Sequence, residues 1–124
     1  MKQPAPTEHD EQKHLMRLVS LHSGRWPELG LLYAVPNGGQ RHPAIASKLK
    51  AEGVKPGVPD LCLPVPRCGC HGLYIELKRI KGSTTSDEQK AWISALQGQG
   101  YRAVVCKGAD EAWSVIQAYL REAA

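Results

Sequence analysis

The stretch Gly72–Lys78, Gly-Leu-Tyr-Ile-Glu-Leu-Lys, constrains the fold of this chain most. It is rich in residues that favour strands, and it closes on an acid and a base. On a strand, residues i and i+2 share a face, so the Glu76 carboxylate and the Lys78 ammonium project together while Leu77 faces the other way. Alone, Glu-x-Lys on a strand is more often an exposed ion pair than a site. A second apolar run, Asp60–Val65, precedes it across a loop holding Cys68, Gly69, Cys70 and Gly72. An antiparallel hairpin about that loop places Asp60 opposite Lys78, with Glu76 one same-face step away. Two carboxylates and a lysine then converge at one end of a sheet. An Asp that ends a turn and pairs with Lys78 accounts for part of this pattern but leaves Glu76 unexplained.

The flanking sequence supplies helices and further strands. Thr7 can cap a helix running to about His22, with Leu15, Met16, Leu18 and Val19 on one face at ~100° per residue. Glu8 falls near the middle of that apolar face and Glu11 about 60° from its centre at the same ~100° step. A carboxylate on a buried stripe is either a frayed end in water or a group pointing into a site. Gly30–Val35 reads as a short buried strand ended by the turn Pro36-Asn-Gly-Gly39. A helix from His42 or Pro43 to Glu52 follows, closed by Gly53. After Lys78 come a helix over Ser86–Leu96 with Trp92, Ile93 and Leu96 inward, a strand over Tyr101–Cys106 and a helix over Asp110–Leu120. The order α-β-α-β-β-α-β-α predicts an α/β domain with a central mixed sheet and flanking helices over residues 7–122, after a loose lead-in at 1–6.

Composition narrows the class. Of 124 residues, 42% are hydrophobic and 23% charged, which is globular and not disordered composition. The polar N-terminus lacks the apolar core of a secretory signal, and no apolar run reaches the ~20 residues that span a bilayer, so a soluble, cytoplasmic protein without a membrane partner is expected. Between Arg41 and Lys81, eight Lys or Arg stand against three acids, a local charge of +5 that leaves −1 for the rest of the chain. A concentrated basic segment suits phosphate binding, and it is also what a solvated basic face looks like.

Two or three carboxylates without a matching His cluster make a hard-oxygen site, suited to Mg²⁺ or Mn²⁺ rather than zinc. Asp60 and Glu76 would form it, with Glu8 as the natural third acid and Glu11 as the alternative. Lys78 would orient an attacking water or neutralise charge developing on a phosphate. The chemistry this assembles is metal-dependent phosphodiester hydrolysis. Cys68-Gly-Cys70-His71 is half a zinc pattern, but Cys62 and Cys106 supply no second Cys-x-x-Cys pair and read as small buried strand residues.

Pro59-Asp60 followed by Glu76-Leu77-Lys78 resembles the motif of the PD-(D/E)XK nuclease superfamily. The blocks VPNGGQR at Val35–Arg41, AEGVKPGVPDL at Ala51–Leu61, GLYIELKR at Gly72–Arg79 and SDEQKAW at Ser86–Trp92 are similar, in order and spacing, to the VRR-NUC nucleases. The resemblance spans about residues 7–120 and implies a restriction-endonuclease-like domain. It implies Asp60, Glu76 and the Leu77 carbonyl as metal ligands and Lys78 as the catalytic lysine. A first-helix Glu followed four residues later by Gln matches Glu8 and Gln12. Gln89 matches a family Gln in the helix after the Glu-x-Lys strand, and the spacing Ser86-x-x-Gln89 is equally a capping box. Asn37, Gly38, Gly39 and Arg41 form a turn whose N–H groups can approach a phosphate, though any tight turn needs such glycines. Lys48, Lys50, Arg79 and Lys81 are candidate contacts to the DNA backbone. Stand-alone members of this size are similar to phage and bacterial enzymes that act as homodimers on branched DNA, which implies Holliday-junction resolution without a nucleotide cofactor. A nickase, a flap or replication-linked nuclease would use the same site. A catalytically silent DNA-binding module would keep the fold alone.

Overall fold

A computed structural model describes residues 4–36 and 42–123. The chain forms α1 (Glu8–His22), a 3₁₀ turn (Pro27–Leu31), β1 (Tyr33–Ala34), α2 (Pro43–Ala51), β2 (Leu61–Leu63), β3 (Leu73–Lys78), α3 (Asp87–Gly98), β4 (Arg102–Lys107) and α4 (Ala109–Arg121). This is the predicted order. The four strands make one sheet in the order β1-β2-β3-β4, antiparallel across β1–β2 and β2–β3 and parallel across β3–β4. The parallel pair is possible because α3 carries the chain back over the sheet.

Strand alternation divides the sheet into a core face and a face for chemistry. Leu61, Leu63, Leu73, Ile75, Leu77 and Cys106 point one way and are buried with Leu15 and Val19 of α1 and Ile116, Tyr119 and Leu120 of α4. Burying each such aliphatic side chain contributes roughly 1.5–3 kcal/mol. The Tyr119 hydroxyl donates to the Val65 carbonyl inside this core. Cys62 and Cys106 are buried strand residues, as expected, and burial pushes the Cys106 thiol up to about 12. Asp60, Glu76 and Lys78 belong to the opposite face. There α3 is the covering helix, its Gln97 amide donating to the Ala103 carbonyl of β4. Trp92, Ile93 and Leu96 of α3 are half-buried, as befits a helix with one partner strand.

Three local expectations are corrected. The strand expected over Gly30–Val35 shortens to Tyr33–Ala34 and is exposed. Pro27 starts a 3₁₀ turn whose bonds run through Leu32 N–H to Leu29 O, leaving few residues before Pro36, which has no N–H to give. The hairpin register also differs: Leu61 pairs with Ile75, so Asp60 flanks Glu76 rather than Lys78. Its tip is the two-residue turn Cys68-Gly69, with φ of 47° and 76°, closed by paired bonds between Arg67 and Cys70. One extra residue on the Pro64–Pro66 side then moves the register. A two-residue shift preserves faces, so the three charged residues still share one.

The third correction concerns α1. Its buried acid is Glu11, 8% exposed, whereas Glu8 is exposed. Glu8 has the right azimuth but sits in the first turn, beyond the body that covers the helix. Gly108 precedes α4 without a side-chain cap, and Glu11 Oε1 fills that role by accepting from the Ala109 N–H at 3.0 Å. In urea unfolding, Glu11→Ala should therefore lose about 1–3 kcal/mol, the cost of leaving a buried donor unpaired. Glu8→Ala should stay within about 0.5 kcal/mol of the parent.

Candidate active site

Each charged group at the end of β3 is held by a named backbone or side-chain partner. Asp60 ends the Pro56–Pro59 loop, where Gly57 has φ +87° and a Cβ on it would lie 2.7 Å from the Glu88 carbonyl carbon. Only glycine lets this loop rest on the first turn of α3. Val35 N–H donates to the Asp60 carbonyl at 2.7 Å, and the Asp60 carboxylate accepts from Leu77 N–H at 2.8 Å through Oδ2. That carboxylate takes up a β3 donor just past the end of β2, which fixes its direction.

Glu76 is 1% exposed and Lys78 6% exposed, both unusually low for charged residues. Glu76 Oε2 accepts from Gln89 Nε2 at 2.7 Å and lies 3.5 Å from Lys78 Nζ. Lys78 Nζ donates to Gln89 Oε1 at 2.9 Å. Gln89 Oε1 also accepts from Ser86 N–H at 2.9 Å, while Ser86 Oγ accepts from Gln89 N–H. Gln89 closes the α3 capping box, and the same side-chain amide spans the acid and the base. Ser86 is thereby tied to the site, and its capping-box spacing was the only sequence signal for that link.

Glu76 Oε1 is buried and receives no hydrogen bond from any described residue. Its carboxyl is pushed up to about 7, first by burial and then by repulsion from Asp60, against the opposing pull of Lys78. The chain thus places two carboxylates together, one with a buried oxygen that is unsatisfied among the described residues. Oxygen donors of this kind fit a hard divalent cation. Among the described residues, no cluster of three or more His, Cys, Asp or Glu is close enough to hold a metal ion. The third acid is therefore not assembled: Glu11 is committed to α4, and Glu8 accepts from Ser83 Oγ at 3.3 Å, on the loop after β3. Leu77 turns its side chain into the core. Lys48, Lys50, Arg79 and Lys81 are all exposed. Asn37, Gly38, Gly39 and Arg41 lie outside the described residues.

An aspartate at the entrance of one strand and a Glu-x-Lys pair on its neighbour share one sheet face, in the arrangement that resembles the PD-(D/E)XK motif. The sequence matches the VRR-NUC domain family over residues 7–110. A solved structure described as a VRR-NUC domain protein is similar to the chain with a TM-score of 0.81 and 34% identity, over 98% of this chain and 93% of that one. No curated protein matches. The chain belongs to the VRR-NUC domain family and is a nuclease domain, a hydrolase that binds DNA. No helix among the described residues is long and apolar enough to cross a membrane.

The raised Glu76 carboxyl has a consequence for stability. The folded chain holds this proton between pH 4.5, the ordinary value, and about 7, while the unfolded chain does not. Folding is therefore favoured at the low end of that window and weakens as pH rises through it. Without divalent cations, the parent should lose on the order of 1–3 kcal/mol relative to Glu76→Gln between pH 4.5 and 8. Paired denaturant melts across that range check it.

Proposed function

We propose that the chain is a metal-dependent DNA endonuclease that hydrolyses phosphodiester bonds. The observation that carries this reading is the buried Glu76 Oε1, which receives no hydrogen bond from any described residue and belongs to a carboxylate repelled by Asp60. Two acids facing a phosphate weaken DNA binding unless a cation lies between them, so a binding module gains nothing from them. Asp60, Glu76 and the Leu77 carbonyl would hold Mg²⁺ or Mn²⁺. Such an ion, when bound, binds a phosphate oxygen, acidifies water and stabilises transition-state charge.

The chain's own residues supply the rest. Leu77 N–H aims the Asp60 carboxylate, and the Gln89 amide holds Glu76 with one end and Lys78 with the other. Lys78, its ammonium 3.5 Å from Glu76 Oε2, would orient water and offset negative charge. Of the two α1 acids, Glu8 is the one not committed to the core, and we assign it the outer position of the site. Asn37, Gly38, Gly39 and Arg41, with Lys48, Lys50, Arg79 and Lys81, would hold the DNA backbone. We further propose a homodimer acting on branched DNA as a Holliday-junction resolvase. A two-fold dimer presents equivalent sites to symmetric strands, and so small a domain has little surface for reading bases.

Asp60→Ala and Lys78→Ala should each lower cleavage about 100-fold or more while the fold and DNA binding persist. The assay compares a labelled four-way junction, fork, flap, duplex and single strand in Mg²⁺, Mn²⁺ or EDTA. Paired symmetric cuts confined to the junction are the expected result. Cuts spread over several substrates would replace the resolvase by a nickase or flap nuclease. Tight binding without cleavage in any metal would leave a silent DNA-binding module. The Lys48→Ala, Lys50→Ala double variant should reduce the slope of log affinity against log salt by roughly 0.9 per lost phosphate contact.

A further inference from the structure

On the sheet face that carries Asp60, Glu76 and Lys78, α3 packs over β4. A cavity of about 410 Å³ lies between the end of β1, the loop after α2, and α3. Val35, Val54, Val58 and Trp92 line it, together with the charged residues Glu52 and Lys55. Two walls are tied to the site: Val35 N–H is bonded to the Asp60 carbonyl, and Trp92 lies one helical turn beyond Gln89. Val58 is two residues before Asp60, in the loop that Gly57 seats on Glu88. Asp60, Glu76 and Lys78 do not themselves line the cavity; it is linked to them through Val35, bonded to Asp60, and through Trp92, one turn from Gln89.

Its chemistry is specific. Trp26 and Trp113 are core residues 9% exposed, packed edge to face, whereas Trp92 is half-buried and lines the cavity. A mostly apolar hollow with an aromatic wall suits a flat ring with polar edges, and stacking on an aromatic side chain tolerates any base. Lys55 also borders a second groove with Lys50, so positive charge continues from the cavity along the surface. That charge complements the phosphates on either side of a base. A cavity of about 410 Å³ has room for a nucleobase.

Resting on the nuclease reading, we propose that this cavity receives an unpaired nucleobase of the cut strand, stacked on Trp92 beside the scissile phosphate. The enzyme then selects DNA in which a base next to the cut is already unpaired or easily extruded, because an extruded base costs less to deliver there.

The test is binding of the full chain in EDTA to two otherwise identical duplexes, one carrying a single bulged 2-aminopurine. The parent should prefer the bulged DNA by about 5- to 100-fold, the range expected for one stacked base. The emission that Trp92→Phe removes should be quenched by the bulged DNA and not by the plain duplex, with 2-aminopurine quenched in the same titration. Trp92→Ala, and separately Val54→Phe at a half-buried wall position, should bring the preference to within roughly two-fold. If Trp92→Ala does not fold, Val54→Phe carries the test. Equal binding of both duplexes, or a preference that survives both variants, would overturn the proposal. So would a dimer that Val54→Phe dissociates without any base preference, which would make a second copy the occupant. Metal-dependent cleavage by the parent is scored separately. Cleavage without preference sinks the base site alone, and preference without cleavage sinks the nuclease reading alone.

Discussion

The structure turns on a carboxylate placed where a carboxylate is costly. Glu76 is almost fully buried, beside a second acid, with one oxygen receiving no hydrogen bond from any described residue. Burial and like charge both disfavour its ionised form. The surrounding groups read as a response to that conflict. Lys78 stands on the same strand face at 3.5 Å, and Gln89 bonds both. Gln89 is itself held by the α3 capping box, so the start of a helix fixes the geometry of a strand-borne acid and base.

The sheet makes this arrangement affordable by separating its faces. On β3, Leu73, Ile75 and Leu77 fill the core, while Glu76 and Lys78 project to the other side. The apolar face is sealed by α1 and α4, which Glu11 joins through the Ala109 N–H. One helix, α3, covers part of the chemical face. Stability is thus concentrated on one side of the sheet, and access to solvent is left on the other.

Much of this was legible in the sequence because period-two and period-3.6 patterns report faces directly. The element order, the caps at Thr7 and Ser86 and the shared face of Asp60, Glu76 and Lys78 all follow from such patterns. Position along an element is less legible than face. The hairpin register moved by two residues, one because the turn is centred on Cys68-Gly69 and one because of the extra residue before Arg67, where Pro64 and Pro66 route the chain. Glu8 and Glu11 share the inward side of a helical wheel, yet only tertiary contact with α4 decides which is buried. The edge strand shortened because a 3₁₀ turn competed for its backbone. Gln89 closes the α3 capping box and bonds Glu76 and Lys78 with the same amide, two uses that sequence alone presents as alternatives.

The central claim is that Asp60 and Glu76 form one divalent-cation site, and calorimetric titration of the DNA-free chain with Mn²⁺ tests it most directly. The account predicts saturable binding of about one ion per chain, a matching rise in unfolding temperature, and loss of both in Asp60→Asn. Absence of saturable binding, or binding that Asp60→Asn leaves unchanged, would contradict it.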